Sequence, residues 1–545
     1  MKLNWQPDWI KEHRAPNFAH PPLHKDKDGI THEGYRWGSI PALDLINLPA
    51  HEGVDYKGDI RILSATSEDM GSIVKSIASL PEAYTGHTTF DINEFHFEVL
   101  ARNILTTLVA LTTSNEAQSV HCILHVWYSA FITQNDRDII TKNVLPIIAE
   151  VANEVKHTYG EKETDTILTK TWTFASTSGP HDVIIELTHG QWVRLHSFLE
   201  QPQVPPGVPN EQRKDKCDLQ IWQDLRRAFT YSDTRPDARH RRLFGLAPTL
   251  RVCMDRFMAD GLLLPFGANR DEFVIPNPTF FDTPWWPFVE MADPITGWRM
   301  SDIINTPFAA GNDIYGKTHD HIQGWLLKFH RRLRSHRISF RFTCLTPDLL
   351  TQYDKATELF ESFSRIDTGH TADNFLMQDL QIETLIAVFG PLLQSPTENP
   401  HATLITLHRI AVDLMAGQGR LPGQDVKDKV YAAEICKPEP PEDCSPLVLR
   451  HDARYETTSH SFRHARPDMD VWFNEFLKVH EFAKAGKTTG LATVGMKMKK
   501  KHTIVEKWPT KMKLKLGQLG VKQELKLLRA SGLRGDERYV EWKRT

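Results

Sequence analysis

Cysteine is scarce in this chain: six residues in 545, at positions 122, 217, 253, 344, 436 and 444, with no C-x-x-C pair among them. That spacing excludes a disulfide framework and a zinc ribbon, and reduced, mostly buried thiols are expected. Long apolar runs are missing too. No stretch of 18 apolar residues occurs, so no membrane span is expected. The opening residues "MKLNWQPDWIKEHRAPNF" lack the apolar centre of a secretory signal. An intracellular protein, cytoplasmic or nuclear, is the expectation. The phosphate-cradling G-x-x-x-x-G-K-[ST], the nucleophile elbow G-x-S-x-G and the zincin H-E-x-x-H are all absent. No internal repeat is found.

What is present is a globular composition, 40% hydrophobic and 25% charged. The chain is too long for one simple core. Its net charge of −4 hides an asymmetry. Residues 484–545 hold 17 Lys and Arg against 5 Asp and Glu, a surplus of 12, so the remainder carries −16. Such a basic tail on an acidic body suits either an anionic partner (nucleic acid or an anionic surface) or a solvated, mobile end.

Residues 1–32 mix Pro, His and Lys without a period and read as an extended arm, which "YRWGSIPALDLINL" (35–48) would anchor on a core. Ile60 and Ile62 in "DIRILSA" predict a first strand. Met70, Ile73, Val74, Ile77 and Leu80 recur at helical spacing, and Pro81 marks the stop. "HTTFDIN" predicts a second strand, "EFHFEVLARNILTTLVAL" a strong helix, and "VHCILHVWYSAF" a third strand or the start of a helix. The alternation argues an α/β fold, a mostly parallel sheet covered by helices. Its first part spans 33–136. A mainly helical insertion follows at 137–335, and the sheet resumes over 336–416 with the strands "ISFRFTCL" and "HATLITL". Within the insertion, "IPNPTFFDTPWWPF" predicts a covering loop with Phe280, Phe281, Trp285 and Trp286 packed inward. Residues 417–483, with the linker-like "KPEPPEDCSP", carry no clear pattern, and 484–545 form the basic tail.

In a parallel sheet, ligands bind beyond the strand C-termini where strand order reverses, next to a helix N-terminus. The turn in question is "SATSED" (64–69), and the second strand ends in "DINE", where Asp91 or Glu94 would accept bonds from ribose hydroxyls. No glycine precedes Gly71 at this turn, and Glu68 adds bulk and charge. The carboxylates Glu68, Asp69 and Glu94 would repel phosphate and tolerate a sulfonium. The simpler alternative is that Asp69 or Ser67 only caps the helix. His319-Asp320-His321 predicts a helix start and no metal centre, because residues i and i+2 of a helix do not share a face. "KFHRRLRSHRISFR" predicts a solvated helix end.

Several stretches together resemble a known family: "WGSIPALDLINLPAHEGVDYKGDIRILSATSED", "FEVLARNILTTLVAL", "GLLLPFGANRDEFVIPNPTFF", "DPITGW" and "FGPLLQSPTENPHATLITL". They are similar to uncharacterised fungal proteins that share a domain of unknown function with the N-terminal region of axonemal dynein assembly factor 3. The similarity runs in patches over roughly residues 35–410. It implies a Rossmann-like, class I methyltransferase-like sheet with helices on both faces, and S-adenosylmethionine as the cofactor to consider. The family's glycine–aspartate pair after the first strand corresponds to Glu68-Asp69. Its asparagine–aspartate pair corresponds to Asn93-Glu94. Its serine-asparagine-x-alanine-aspartate stretch corresponds to Gly369-His370-Thr371-Ala372-Asp373. A cofactor would thus lie among Ser64, Ala65, Asp69, Asn93, Glu94 and Asp373, while no catalytic residue carries over.

Three functions follow. The first is a non-catalytic scaffold or assembly-assisting protein with a protein partner. The second is an S-adenosylmethionine-dependent methyltransferase. The third is binding of RNA or an anionic lipid surface through 484–545.

Overall fold

Ile60 and Ile62 of the first strand pack into one apolar cluster, while Leu63 and Ala65, the latter just past its end, pack into another. Period-two alternation of this kind places a strand between two layers. A computed structural model describes residues 7–13, 37–160, 165–200, 202, 219–230, 236–281, 292–346, 362–377, 381–418, 465–487, 494–515, 517–533 and 535–545. Its strands are β1 (Ile60–Ser64), β2 (Thr88–Asn93), β3 (Phe131–Ile132), β4 (Ile167–Phe174), β5 (His181–Thr188), β6 (Ile275–Pro276), β7 (Ile338–Thr343), β8 (Arg365–Asp367), β9 (Thr403–His408), β10 (Met496–Met498) and β11 (Arg538–Arg544).

Nine of them form one sheet in the order β10-β11-β9-β8-β1-β2-β7-β5-β4, and β3 pairs with β6 apart from it. The run β9-β8-β1-β2-β7-β5 is parallel throughout. Antiparallel pairs close both ends, β4 on β5 and β11 on β9, with β10 antiparallel to β11. The chain runs from β1 to β2, lays down the β4–β5 hairpin at the far edge, fills the gap between β2 and β5 with β7, then returns across β1 to lay down β8 and β9. Strand order therefore reverses between β1 and β8.

Helices cover both faces. Helices Gly71–Ala78, Phe97–Thr112 and Ile314–Ser335 feed the larger core with Ile73, with Ile104 and Leu108, and with Leu326 and Phe329. Helices Ile382–Phe389, Ala411–Gln418 and Asp470–Val479 feed the second with Leu385, Val412 and Phe473. The α/β class, the strands at 60–64 and 88–93, the helix at 97–112 and the strands at 338–343 and 403–408 agree with the sequence expectations.

Two expectations are corrected. The "VHCILHVWYSAF" stretch is the helix Glu116–Tyr128, not a strand, opened by the Asn115 side chain accepting from the Gln118 amide. Residues 122–130 are all buried, and a continuous apolar run has no periodicity to separate strand from helix. The neighbour of β2 is instead β7, from more than 200 residues later. The mainly helical stretch also carries the β4–β5 hairpin, which extends the main sheet beside β7. The basic C-terminal region is no mobile tail: β10 and β11 belong to the sheet, and Tyr539, Val540 and Trp542 are buried. Phe280 and Phe281 are buried as expected. Trp285, Trp286, the "KPEPPEDCSP" linker and most of the 1–32 arm lie outside the described residues. Cys122, Cys253 and Cys344 are free thiols.

Candidate functional site

The register of β1 on β2 puts Ser64 opposite Ile92, so the turn after β1 meets Asn93 and Glu94 at the same rim of the sheet. Asn93 ties three strand ends together. Its amide donates to the Ala65 and Leu345 carbonyls at 2.9 Å each, and its oxygen accepts from Thr343 Oγ1 and the Leu345 amide. Glu94 accepts from the Glu68 amide and the His96 amide, each at 3.0 Å. Both of its oxygens are thereby occupied by the chain's own N–H groups. Burial is the largest influence and pushes Glu94 up to about 7, against those amide bonds.

Glu68 takes a left-handed backbone, φ +50°. That is the conformation for which glycine is the easy choice. The turn thus keeps a glycine-like shape with a glutamate in it. Its carboxylate accepts from the Ser39 amide at 3.0 Å and from Ser39 Oγ at 2.9 Å, and it touches His370 Nε2. Arg409, directly after β9, donates to Ser39 Oγ at 2.8 Å. Asp69 accepts from the Gly38 amide at 2.5 Å with one oxygen and from the Gly71 amide at 2.8 Å with the other. The N-cap of the helix is Met70, without a side-chain cap; Asp69, one residue earlier, holds the first helical amide with one oxygen and the N-terminal segment with the other. Burial pushes Asp69 up to about 6.

That segment, residues 37–46, is laid on the helix Gly71–Ala78 like a strap. The Leu43 amide donates to Ser72 Oγ and the Leu45 amide to Ser76 Oγ, two serines one turn apart on one face. On its other side, the Ala42 amide donates to the Gly297 carbonyl, and a Cβ on Gly38 would lie 3.2 Å from Gly297 Cα. The strap is held against the turn Pro294–Gly297 at a spacing that glycine permits.

Across the strand-order reversal, the turn after β8 closes on the turn after β1. Gly369 has φ +49°, and a Cβ there would meet the Thr66 carbonyl at 2.4 Å. Thr66 and Thr371 share a hydroxyl hydrogen bond of 2.8 Å. Asp373 accepts from the Arg409 amide through Oδ2, while its Oδ1 is buried without a hydrogen-bond partner. Burial pushes Asp373 and Asp367 up to about 6.

The structure thus gathers all six expected positions at or beside one rim. Asp91 is not among them: it lies within β2 and is paired with Arg61 at 2.7 Å. Ser39, His370 and Arg409 carry no sequence signal that marks them as partners of one another. Chemically, the rim is acidic and mostly self-satisfied. A sulfonium-bearing cofactor would need the edges that Ser39, Gly38, His370 and the amides of Glu68 and His96 now hold, so these residues do not fit it in this arrangement. Among the described residues, no group of three His, Cys, Asp or Glu side chains surrounds a common point as metal ligands. No helix of the described residues is long and apolar enough to cross a membrane.

Residues 36–132 match the family described as a domain of unknown function, DUF4470. That stretch contains the strap, β1, β2 and the carboxylates Glu68, Asp69 and Glu94. No curated protein and no solved structure matches the chain.

Proposed function

We propose that the chain is a non-catalytic protein on a methyltransferase-like frame, acting as a scaffold or assembly-assisting partner of other proteins. The frame is supported by sheet order. The strands β7-β2-β1-β8-β9 follow the 3-2-1-4-5 order of doubly wound sheets, with an antiparallel β11 beyond β9. One observation carries the non-catalytic reading. At the place where such a frame takes its ligand, the Glu68 carboxylate is bound by Ser39 and His370, and Asp69 and Glu94 are each held by two backbone amides. A rim whose acceptors, Asp373 Oδ1 apart, are filled by the protein itself offers a packed surface instead of a cofactor cradle. The resemblance to the N-terminal region of axonemal dynein assembly factor 3 points the same way, by analogy of domain alone.

The second reading, an S-adenosylmethionine-dependent methyltransferase, is favoured by the left-handed φ of Glu68, which preserves the backbone of a glycine turn. Calorimetry of the full chain with S-adenosylmethionine and S-adenosylhomocysteine separates the two. The scaffold reading expects no saturable heat up to about 1 mM ligand. Saturable binding that Asp69→Ala abolishes would replace it with the methyltransferase.

A further inference from the structure

Folding sorts the charges of the basic C-terminal region. Over the described residues from 494 to 545, nine lysines are exposed against a single exposed carboxylate, that of Glu506. The other carboxylates are used inside. Glu541 accepts from the amides of Thr503, Ile504 and Val505. Glu524 accepts from the amides of Lys513 and Leu514 at 2.7 and 3.0 Å. Arg409 lies 3.8 Å from Asp536, and Glu537 is buried. The fold joins this region to the body yet leaves its lysines facing water, and a surface field of one sign draws a partner of the other.

One place on this surface adds an independent observation. Leu519 is 101% exposed, and no other large apolar side chain among the described residues exceeds 54%. It stands at the tip of the turn between Gly517 and Gly520, whose φ values of +86° and +92° favour glycine. The tip is anchored. The Lys515 amide donates to Gln518 Oε1 at 2.7 Å, and Val521 and Leu525 pack with Met512 and Ala465 behind it. Lys515 and Lys522 flank Leu519 along the chain. Lys513 is held beside Glu524 by its amide, and Lys526 lies one turn beyond Lys522 on the same face of the helix Val521–Ser531. All four lysines are exposed, and among the described residues none of them is in an ion pair.

We propose that the turn at Leu519, with Lys513, Lys515, Lys522 and Lys526, docks on an anionic phospholipid surface. The leucine enters the headgroup boundary and the ammonium groups meet the lipid phosphates and carboxylates. Each lysine near such a surface adds to the attraction, and an inserted apolar group turns a diffuse attraction into a seated contact. Charge complementarity alone would also suit a nucleic acid, but three features favour the bilayer. A phosphate backbone in water gives Leu519 nothing to bury in. Trp508, Tyr539 and Trp542 are buried, so no platform is left on which bases could stack. The exposed cations are lysines, point charges instead of the guanidinium forks that read base edges. The contact is peripheral, since no helix of the described residues is long and apolar enough to cross a bilayer. It shares no residue with the acidic rim, so it stands whether or not the scaffold reading holds.

The test is co-sedimentation of the full chain with vesicles of phosphatidylcholine, alone or with about 30% phosphatidylserine. Binding should be saturable on the anionic vesicles, absent on the neutral ones and lost as NaCl rises from about 0.1 to about 0.5 M. Lys522→Gln combined with Lys526→Gln should weaken it about thirtyfold. Leu519→Ser should weaken it about fivefold and leave its salt dependence unchanged. All three side chains are exposed, so these variants should melt like the wild type. No binding to anionic vesicles at about 1 mM lipid would overturn the proposal, as would equal binding to neutral vesicles. So would an affinity that Leu519→Ser leaves intact; equally tight, salt-sensitive binding to duplex RNA would then assign the face to a nucleic acid.

Discussion

Glu68 carries two opposing effects at one position. Its side chain is held by Ser39 and His370, while its backbone adopts a φ of +50° that costs a residue with a Cβ roughly 1–2 kcal/mol. Glu68→Ala would lose the side-chain ties and keep the strained backbone. Glu68→Gly would lose the same ties and shed the strain. The glycine variant should therefore be the more stable of the two by about 1 kcal/mol, read from urea midpoints at equal m-value. Equal midpoints would mean that the left-handed turn stores no strain. Glu94 offers a pH test at the same rim. Its carboxyl is pushed from an ordinary 4.5 up to about 7, chiefly by burial. For an acid whose folded value lies above its unfolded one, the stability of the neutral form is full below the unfolded value and lost as pH rises through the folded value. Buried His51 and His408, held down to about 3, act in the opposite sense and lose stability as pH falls below 6.5. A difference measurement separates them. Relative to the wild type, Glu94→Gln should gain on the order of 2–3 kcal/mol between about pH 4.5 and about pH 8. A gap that stays flat or narrows over that range would contradict the assignment.

At the scale of elements, the edge strand β10 shows how the basic C-terminal region works in the fold. Lys497 of β10 stands directly opposite Lys543 of β11, and both are exposed. Like charges in register are unfavourable, and they also discourage another strand from adding to an open edge. Lys497→Glu should convert the pair into an attraction and stabilise the protein by roughly 0.2–1 kcal/mol, less at high salt, as followed by thermal melting. No gain at low salt would mean that the two side chains do not meet. The same scale shows what the sequence can reveal. Strand, helix, strand and helix from 60 to 112 are legible because period two and period 3.6 alternate cleanly there. The helix at 116–128 is not, since burial on all sides erases its period. The β4–β5 hairpin is hidden for another reason: "ILTKTWTF" alternates, yet its place in the sheet depends on Val183 meeting Phe340 across 157 positions. The rim follows the same rule. Asp69 and Glu94 can be placed from two adjacent crossover units, whereas Ser39 reaches His370 across 331 positions and Arg409 across 370. Contacts of that range leave no local mark.

For the whole molecule, the charge asymmetry is resolved by folding the basic end into the acidic body. Lys511 pairs with Asp470 of the acidic body, Lys499 is matched within the basic region by Glu541, and β11 inserts between β9 and β10. Every residue of β9 is buried, and Trp542 of β11 has no exposed surface in the second core. A detachable basic arm could be removed without touching the melting transition. Here removal would strip the partner from β9, bare an apolar strand edge and empty the place of a fully buried tryptophan. Deleting 484–545 should therefore abolish cooperative unfolding and drive the chain into aggregates seen by size-exclusion chromatography. Trp542→Ala, which leaves the charge of the region unchanged, should lower stability by about 3–5 kcal/mol in urea titrations. A truncated chain that stays monomeric with the wild-type melting point would instead return residues 484–545 to the role of a separate, anion-seeking tail, and the steep salt dependence of RNA binding would then become the measurement to make.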